Sequence, residues 1–204
     1  GPFDLVPLFS FLFLGGKCRY CKAPISPRYP LVEAVTGALF ALCALAWGLS
    51  WYAVVLCLYG SVLIAAAFID REHGIIPDRL HVVILLLAAA SWFAGPTVTL
   101  MDRLIGALGL GAAMLLVSLF TGGGIGGGDI KLLAASGLLL GWKLTVPAFF
   151  LAYVLAAIRY LGPMLKGKLA RDYEAPMGPW FSLALMIAAL WGRQILRFWL
   201  HVAI

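Results

Sequence analysis

GGGIGGGDIKLL, residues 122–133, is the stretch on which the reading of this chain turns. Six glycines and one isoleucine lead to a single aspartate, Asp129. An apolar run, LIGALGLGAAMLLVSLF, lies before it, and another, LLAASGLLLG, follows. Apolar runs on both sides place the glycines and the carboxylate at a membrane boundary. Glycine allows φ > 0 and lets a second backbone come close. A loop of small residues beside an acid therefore suits the entry of an extended peptide. Two other readings compete. One is a plain flexible linker. The other is a phosphate loop, but no Gly-Lys-Ser/Thr follows the glycines. Asp129 also stands where an acid can act as a helix N-cap.

The composition sets the class. Of 204 residues, 63% are hydrophobic and 12% are charged, and mean hydropathy is +1.01. A soluble domain carries about 25% charged residues to cover its surface. This chain is therefore expected to be an integral membrane protein, all-α, because backbone groups in lipid must pair within their own segment. Apolar runs at roughly 31–50, 52–69, 79–95, 103–120, 129–141, 145–163 and 177–200 predict about seven transmembrane helices. Residues 1–30 are expected to form a cytoplasmic segment with a CxxC, and 31–204 one membrane-embedded domain. Gly-Pro at the start, with no methionine, resembles the scar of a cleaved tag. A further N-terminal segment, with the first helix of the natural protein, is expected upstream.

Net charge is +6. The basic residues are scattered over short loops with no dense tract, so nucleic acid is not an expected partner. Their distribution sets orientation instead. With the N-terminal loop inside, Lys17, Arg19, Lys22, Arg28, Arg71, Arg79, Lys131, Arg159, Lys166, Lys168 and Arg171 all fall inside. Arg103, Lys143, Arg193 and Arg197 fall outside or in the last span. The positive-inside rule favours this arrangement, which puts 70–79 and 121–131 on the cytoplasmic face.

The nine acids can be weighed singly. Asp4 precedes the first span, and Glu33 sits near its start, where a carboxylate suits the helix dipole. Asp102 belongs to an outer loop. Glu72, Asp172 and Glu174 read as solvated. Asp78 follows Ile-Ile-Pro and reads as a turn plus N-cap. Asp70 is different. It ends the run SVLIAAAFID, at the negative end of a helix, where no capping argument places an acid. Ionisable groups at membrane depth are functional candidates by default. If the helices pack together, Asp70 and Asp129 can meet at one face. Two carboxylates sharing a site cannot both ionise. The ionised one can take a proton from water. The protonated one can polarise a peptide carbonyl and then protonate the leaving amine.

Four motifs then resemble, in order, those of the type IV prepilin peptidases, membrane aspartyl proteases with a GxGD motif. They are GKCRYCKAPISPRYPLVE at 16–33, FIDREHGIIPD at 68–78, GGGDIKLLAASG at 126–137 and APMGPW at 175–180. In the last, Met177 replaces the family's aromatic. The resemblance implies Asp70 and Asp129 as catalytic. It implies Pro77, Asp78, Gly126, Gly128, Lys131, Gly178 and Pro179 as supporting positions. It also implies cleavage of a basic leader from type IV prepilins or pseudopilins at the cytoplasmic face of the bacterial inner membrane. Proteolysis of this kind needs no cofactor. Methylation of the new N-terminus by S-adenosylmethionine comes from the resemblance alone, with Gly16, Lys17 and Glu33 linked to it.

Cys18 and Cys21 supply only half of a tetrahedral zinc site. A disulfide between them is not expected on a reducing face. Cys43 and Cys57 read as small core residues. His73, His81 and His201 lack ligand spacing, and His73 reads as a loop histidine. Trp51, Tyr52, Trp142 and Trp180 read as interfacial anchors. The alternative function is a proton-coupled transporter with Asp70 and Asp129 as its relay. Both acids lie at one face and no inverted repeat is visible, which count against it.

Overall fold

A computed structural model describes residues 8–94, 98–167 and 175–202. A short helix α1 (Phe9–Phe13) leads through a turn into α2 (Arg28–Trp47). Then follow α3 (Trp51–His73), α4 (Asp78–Ala90), α5 (Leu100–Leu104), α6 (Leu110–Phe120), α7 (Gly127–Leu140), α8 (Trp142–Leu165) and α9 (Gly178–Val202). A π-helical turn, Ile105–Gly109, joins α5 to α6, so that 100–120 is one continuous rod. A 3-10 turn, Ser91–Ala94, extends α4. Each of the seven apolar runs is a helix, and the fold is an all-α membrane bundle.

Local chemistry sets the helix ends. Ser50 caps α3 by accepting from the Ala53 amide at 3.1 Å, which occupies a donor left over by the first turn. The same helix stops at Gly74 in the left-handed region, φ 66°, whose amide donates to the Asp70 carbonyl at 2.8 Å. Thr99 caps α5 through the Asp102 amide at 3.1 Å.

Packing centres on α3, α7 and α9. Helix α3 lies against α2, α4 and α9, while α7 lies against α4, the π turn, α6 and α8. Tyr59, Leu56 and Leu63 of α3, Leu132 and Leu133 of α7, and Phe181 and Leu185 of α9 are fully buried. Cys43 is buried in this core and Cys57 packs against it, as small core residues should. Two helices meet backbone to backbone at Gly106 and Gly137. A Cβ at Gly106 would lie 2.6 Å from the Gly137 carbonyl oxygen, and a Cβ at Gly137 would overlap Gly106 backbone. Lipid offers no hydrophobic drive between helices, so such small-residue contacts carry association.

At the same end, Arg103 is buried at 3% exposure. Its Nη1 donates to the carbonyls of Ala88 (3.2 Å) and Leu138 (3.0 Å), and its Cζ lies 5.5 Å from the Trp92 ring centre. The guanidinium thus ties together the last turns of α4 and α7. Asp102 accepts from Trp142 Nε1 at 2.8 Å and Lys143 Nζ at 3.2 Å, so it is not a loose loop acid. The loops that carry residues 70–78, 121–129 and 175–178 gather at the opposite end.

Several expectations need correction. Among the described residues, four helices are long and apolar enough to cross a membrane: Arg28–Trp47, Trp51–His73, Leu100–Phe120 and Trp142–Leu165. Helices α4 and α7 have 13 and 14 residues. At 1.5 Å per residue these reach only about 20 Å, short of the roughly 30 Å hydrocarbon core. The apolar stretch of α9, Gly178–Gly192, is also short. Asp78 is not an N-cap, since Pro77 holds that position and Asp78 is the first helical residue. Glu33 lies beyond the first turn of α2, which begins at Arg28 and has no acid there. Glu72 pairs with Arg28 rather than standing alone in solvent. Tyr52 is a core residue at 4% exposure, not an anchor, because its ring packs edge-on against Trp47. Asp4, Lys168, Arg171, Asp172 and Glu174 lie outside the described residues.

Gly137→Ala is expected to destabilise the bundle by at least about 1–3 kcal/mol, the range for overpacking a tight contact. The obstruction is backbone, which cannot swing away. Thermal unfolding in detergent should show a clear drop in midpoint. An unchanged midpoint would mean the two helices do not meet at this pair.

Candidate active site

Three helix ends converge on one cavity of about 960 Å³. Asp70 comes from the last turn of α3, Asp129 from the first turn of α7, and Met177 and Pro179 flank the start of α9. Asp70 is 7% exposed. Its Oδ2 accepts from the Gly178 amide at 2.8 Å, a contact spanning 108 residues of sequence. A Cβ on Gly178 would stand 2.7 Å from that same oxygen. Only glycine lets the amide approach a carboxylate this closely, which accounts for the glycine of APMGPW.

Asp129 is the third residue of α7, and Gly126 holds the N-cap position. The N-cap reading of Asp129 therefore fails. Its Oδ1 is buried and, among the described residues, has no hydrogen-bond partner. The carboxylates of Asp70 and Asp129 are near enough to repel each other, and the Tyr153 phenol is in electrostatic reach of Asp129. An unpaired buried oxygen costs about 1–3 kcal/mol. Two acids brought together in an apolar bundle, one left unsatisfied, make no structural sense as a packing device.

The glycine loop is pinned rather than slack. Gly123 N donates to the Ser118 carbonyl at 2.8 Å, Ser118 Oγ donates to the Ile125 carbonyl at 3.0 Å, and Gly124 N donates to Thr121 Oγ1 at 3.2 Å. Gly122 and Gly123 need glycine for their positive φ, 66° and 96°. Gly128 is small for another reason. A Cβ there would sit 3.2 Å from Ile76 Cβ and 3.4 Å from its amide nitrogen, so the two motif loops touch at this point.

A second set of polar contacts joins the same loops. Lys131 Nζ donates to Asp78 Oδ1 at 2.7 Å, His81 Nδ1 lies 3.5 Å from that oxygen, and His81 Nε2 donates to the Gly128 carbonyl at 3.1 Å. At the entrance to α4, the Lys131 ammonium holds the Asp78 carboxyl below the usual carboxylate range. Asp78, Lys131 and His81 thus fasten α4 to α7 directly beside Asp129, and none of them lines the cavity. The sequence pattern singled out Asp78 and Lys131 but passed over His81, which is buried at 5% exposure.

Of the other residues singled out, Gly126 and Pro179 line the cavity, while Pro77 and Gly128 position its loops. Gly16, Lys17 and Glu33 do not line it. Gly16 and Lys17 belong to the N-terminal turn, and Glu33, in α2, accepts weakly from the Leu8 amide at 3.4 Å. Cys18 and Cys21 sit on a tight turn closed by Cys18 N donating to the Ala23 carbonyl at 2.9 Å. Two thiolates are half of a tetrahedral zinc set, and among the described residues no group of three or more His, Cys, Asp or Glu gathers to complete one. His73 is exposed at the end of α3 and does not line the cavity, although Arg71 and Gly74 beside it do.

The cavity also holds Tyr153, Arg159 and Tyr160, which lie outside the motifs, and Trp180, the last residue of APMGPW. Trp180 is therefore a wall residue rather than an interfacial anchor. Its ring meets Tyr160 edge-on at 6.0 Å, and Arg159 stacks over Tyr160 at 5.6 Å. Tyr153 and Tyr160 are seven residues apart in an apolar run, hence on one helix face. That spacing of polar-tipped residues was the available signal.

Comparison with known proteins agrees with this architecture. The sequence profile of the Type IV leader peptidase family matches residues 57–161, and that of the Bacterial Peptidase A24 N-terminal domain matches residues 1–47. A prepilin leader peptidase/N-methyltransferase of Bacillus subtilis (strain 168) is 34% identical over 203 residues, covering 100% of this chain and 82% of the relative. Proteins of the same name from Pseudomonas aeruginosa and Aeromonas hydrophila are each 37% identical, over 99% and 96% of this chain and 71% and 69% of theirs. No solved structure matches significantly. With its helical membrane bundle, its paired acids and these relatives, the chain belongs to the Type IV leader peptidase family and is a peptidase.

Proposed function

We propose that Asp70 and Asp129 are the catalytic pair of an aspartyl endopeptidase that removes the leader of type IV prepilins or pseudopilins. The observation that carries this reading is the shared cavity, with Asp70 held by the Gly178 amide and Asp129 bearing a buried, unpartnered oxygen. The amide fixes one oxygen of Asp70 and leaves the other for a water molecule. One carboxylate takes a proton from that water as it attacks the scissile carbonyl. The other, protonated, gives its proton to the carbonyl oxygen to form a gem-diol; as the C–N bond breaks it takes a proton back from a gem-diol hydroxyl, while the first carboxyl passes the water's proton to the departing amine. The products are a free leader carboxylate and a new N-terminal amine. Arg71 and Arg159 line the cavity, and Arg79 and Lys131 lie near the starts of α4 and α7 at the same end, which supports a cytoplasmic-facing site in the bacterial inner membrane. A proton relay for transport needs access from two sides, and both acids serve one cavity.

The relatives' names include N-methyltransferase, and methylation of the new amine is part of the proposal. The cavity has room beside the acids for a second molecule. Tyr153, Tyr160 and Trp180 offer aromatic faces suited to a sulfonium cation, and Trp180 Nε1 is buried without a hydrogen-bond partner among the described residues. These residues fit S-adenosylmethionine, which supplies an electrophilic methyl group when bound. The carboxylates can take the proton that the amine releases.

The deciding test is cleavage of a full-length prepilin by the protein in liposomes, read as a size shift on a gel. Asp70→Asn and Asp129→Asn should each lower the rate by at least about a hundredfold while leaving the fold intact. Retained cleavage in either variant rejects the pair. Gly178→Ala pushes its methyl group into the Asp70 carboxylate, and a displacement of about 1 Å costs on the order of a hundredfold in rate. Its effect should fall on kcat, with KM little changed. Isothermal titration with S-adenosylhomocysteine should show binding to both wild type and Asp129→Asn. Absence of binding to wild type would remove the methyl donor from this cavity.

A further inference from the structure

A second cavity, apolar and about 380 Å³ in volume, runs between α2, α3 and α9. We propose that it is a docking groove for the hydrophobic helix of the substrate, the part of the prepilin that remains in the bilayer beyond the cleaved bond. The proposal rests on the protease reading above.

Its placement is the first argument. Pro179 lines both this groove and the cavity that holds Asp70 and Asp129. From there the groove follows α9 from Pro179 to Trp191, a rise of about 18 Å at 1.5 Å per residue. Its other walls run from Phe68 back to Gly60 on α3 and along α2 from Val35 to Leu42. It therefore begins next to the two acids and leads away from them along the helices, into the depth of the membrane. A substrate whose scissile bond lies at Asp70 has its remaining chain in this direction. In lipid that chain must be helical, because every backbone polar group needs an internal partner.

Shape and chemistry fit a helix. Ala38, Gly60 and Ala67 keep the lining low, and small residues are what transmembrane helices use to approach one another. A Cβ at Gly60 would meet the end of the Leu39 side chain, so α2 and α3 lie in close contact along the groove. Ser182, also in the lining, has a buried hydroxyl with no partner among the described residues. Interhelical hydrogen bonds from serine are a recurrent feature of membrane interfaces.

The test uses the Asp129→Asn protein in liposomes, so that prepilin stays uncut. A photoreactive benzoylphenylalanine is placed in turn at Leu183 and Leu42 in the groove, and at Leu116 and Leu86 on lipid-facing surfaces of α6 and α4. All four side chains are exposed. Prepilin adducts should form from Leu183 and Leu42 and be at least about tenfold weaker from the other two. Adducts to lipid alone at the groove, or equal prepilin adducts at all four positions, would overturn the proposal. A second variant in the active protein, Ile187→Trp, fills the groove about two and a half turns below Gly178. It should raise KM for full-length prepilin by about tenfold and leave hydrolysis of a short soluble peptide spanning the junction unchanged. Equal loss on both substrates would reject docking in the groove. Failure of the wild-type protein to cut either substrate would instead reject the protease reading itself.

Discussion

One hydrogen bond closes this fold around its polar site. The Gly178 amide donates to Asp70 Oδ2 at 2.8 Å, joining the start of α9 to the end of α3. A carboxylate at the C-terminal end of a helix meets unfavourable backbone dipoles. The N-terminal end of a 25-residue helix offers the opposite field and an unused N–H. Docking α9 on α3 therefore satisfies two awkward groups at once. It also brings the loop before α9 over the cavity, so that Met177, Pro179 and Trp180 become its walls. The position is intolerant of any side chain, and the packing of the whole α3–α9 pair follows from a missing methyl group.

Much of the bundle was legible in the sequence because hydrophobic length speaks directly to membrane helices. All seven apolar runs became helices, and Asp70 stood out because no capping rule put it there. The rest was hidden for a physical reason: sequence periodicity says which face of a helix is polar, not which helix end it meets. Gly178 was legible as a motif glycine, but its contact to Asp70 depends on the packing of residues 108 positions apart. His81 looked like an isolated histidine in an apolar run, yet it reaches the Gly128 carbonyl beside Asp129. Tyr52 and Trp180 follow the general aromatic preference for interfaces only in sequence position. In space one fills the core and the other faces the cavity.

The two short helices and the two irregular loops that precede them belong together. Helices α4 and α7 are too short to span by themselves, so the loops at 74–77 and 121–126 must sit close to bilayer depth. Irregular backbone is tolerated there only where it lines a cavity or is buried in protein. Gly74 and residues 123–126 line the cavity, and Ile76 is buried against Gly128. The Ser118 hydroxyl, donating to the Ile125 carbonyl, and Thr121 Oγ1, accepting from the Gly124 amide, absorb part of the remaining backbone polarity. Glycines near a site are often taken to signal mobility. Here Gly122 and Gly123 supply the positive φ of a pinned turn, and Gly128, in the first turn of α7, supplies the close approach to Ile76.

At the far end of the same two helices stands Arg103, a permanent positive charge with carbonyl oxygens for company and, among the described residues, no carboxylate as a hydrogen-bond partner. The last turns of α4 and α7 both end there, and each contributes the negative pole of its backbone. Their two partial charges amount to about one elementary charge, which is the charge that the guanidinium carries. Neutrality inside the bundle is thus reached without an acid. A lysine could match the charge but not the planar fork that spans two helices. The chain can therefore concentrate its buried acids at the other end, so that carboxylates appear inside the bundle where chemistry is proposed and backbone serves as counter-ion where it is not.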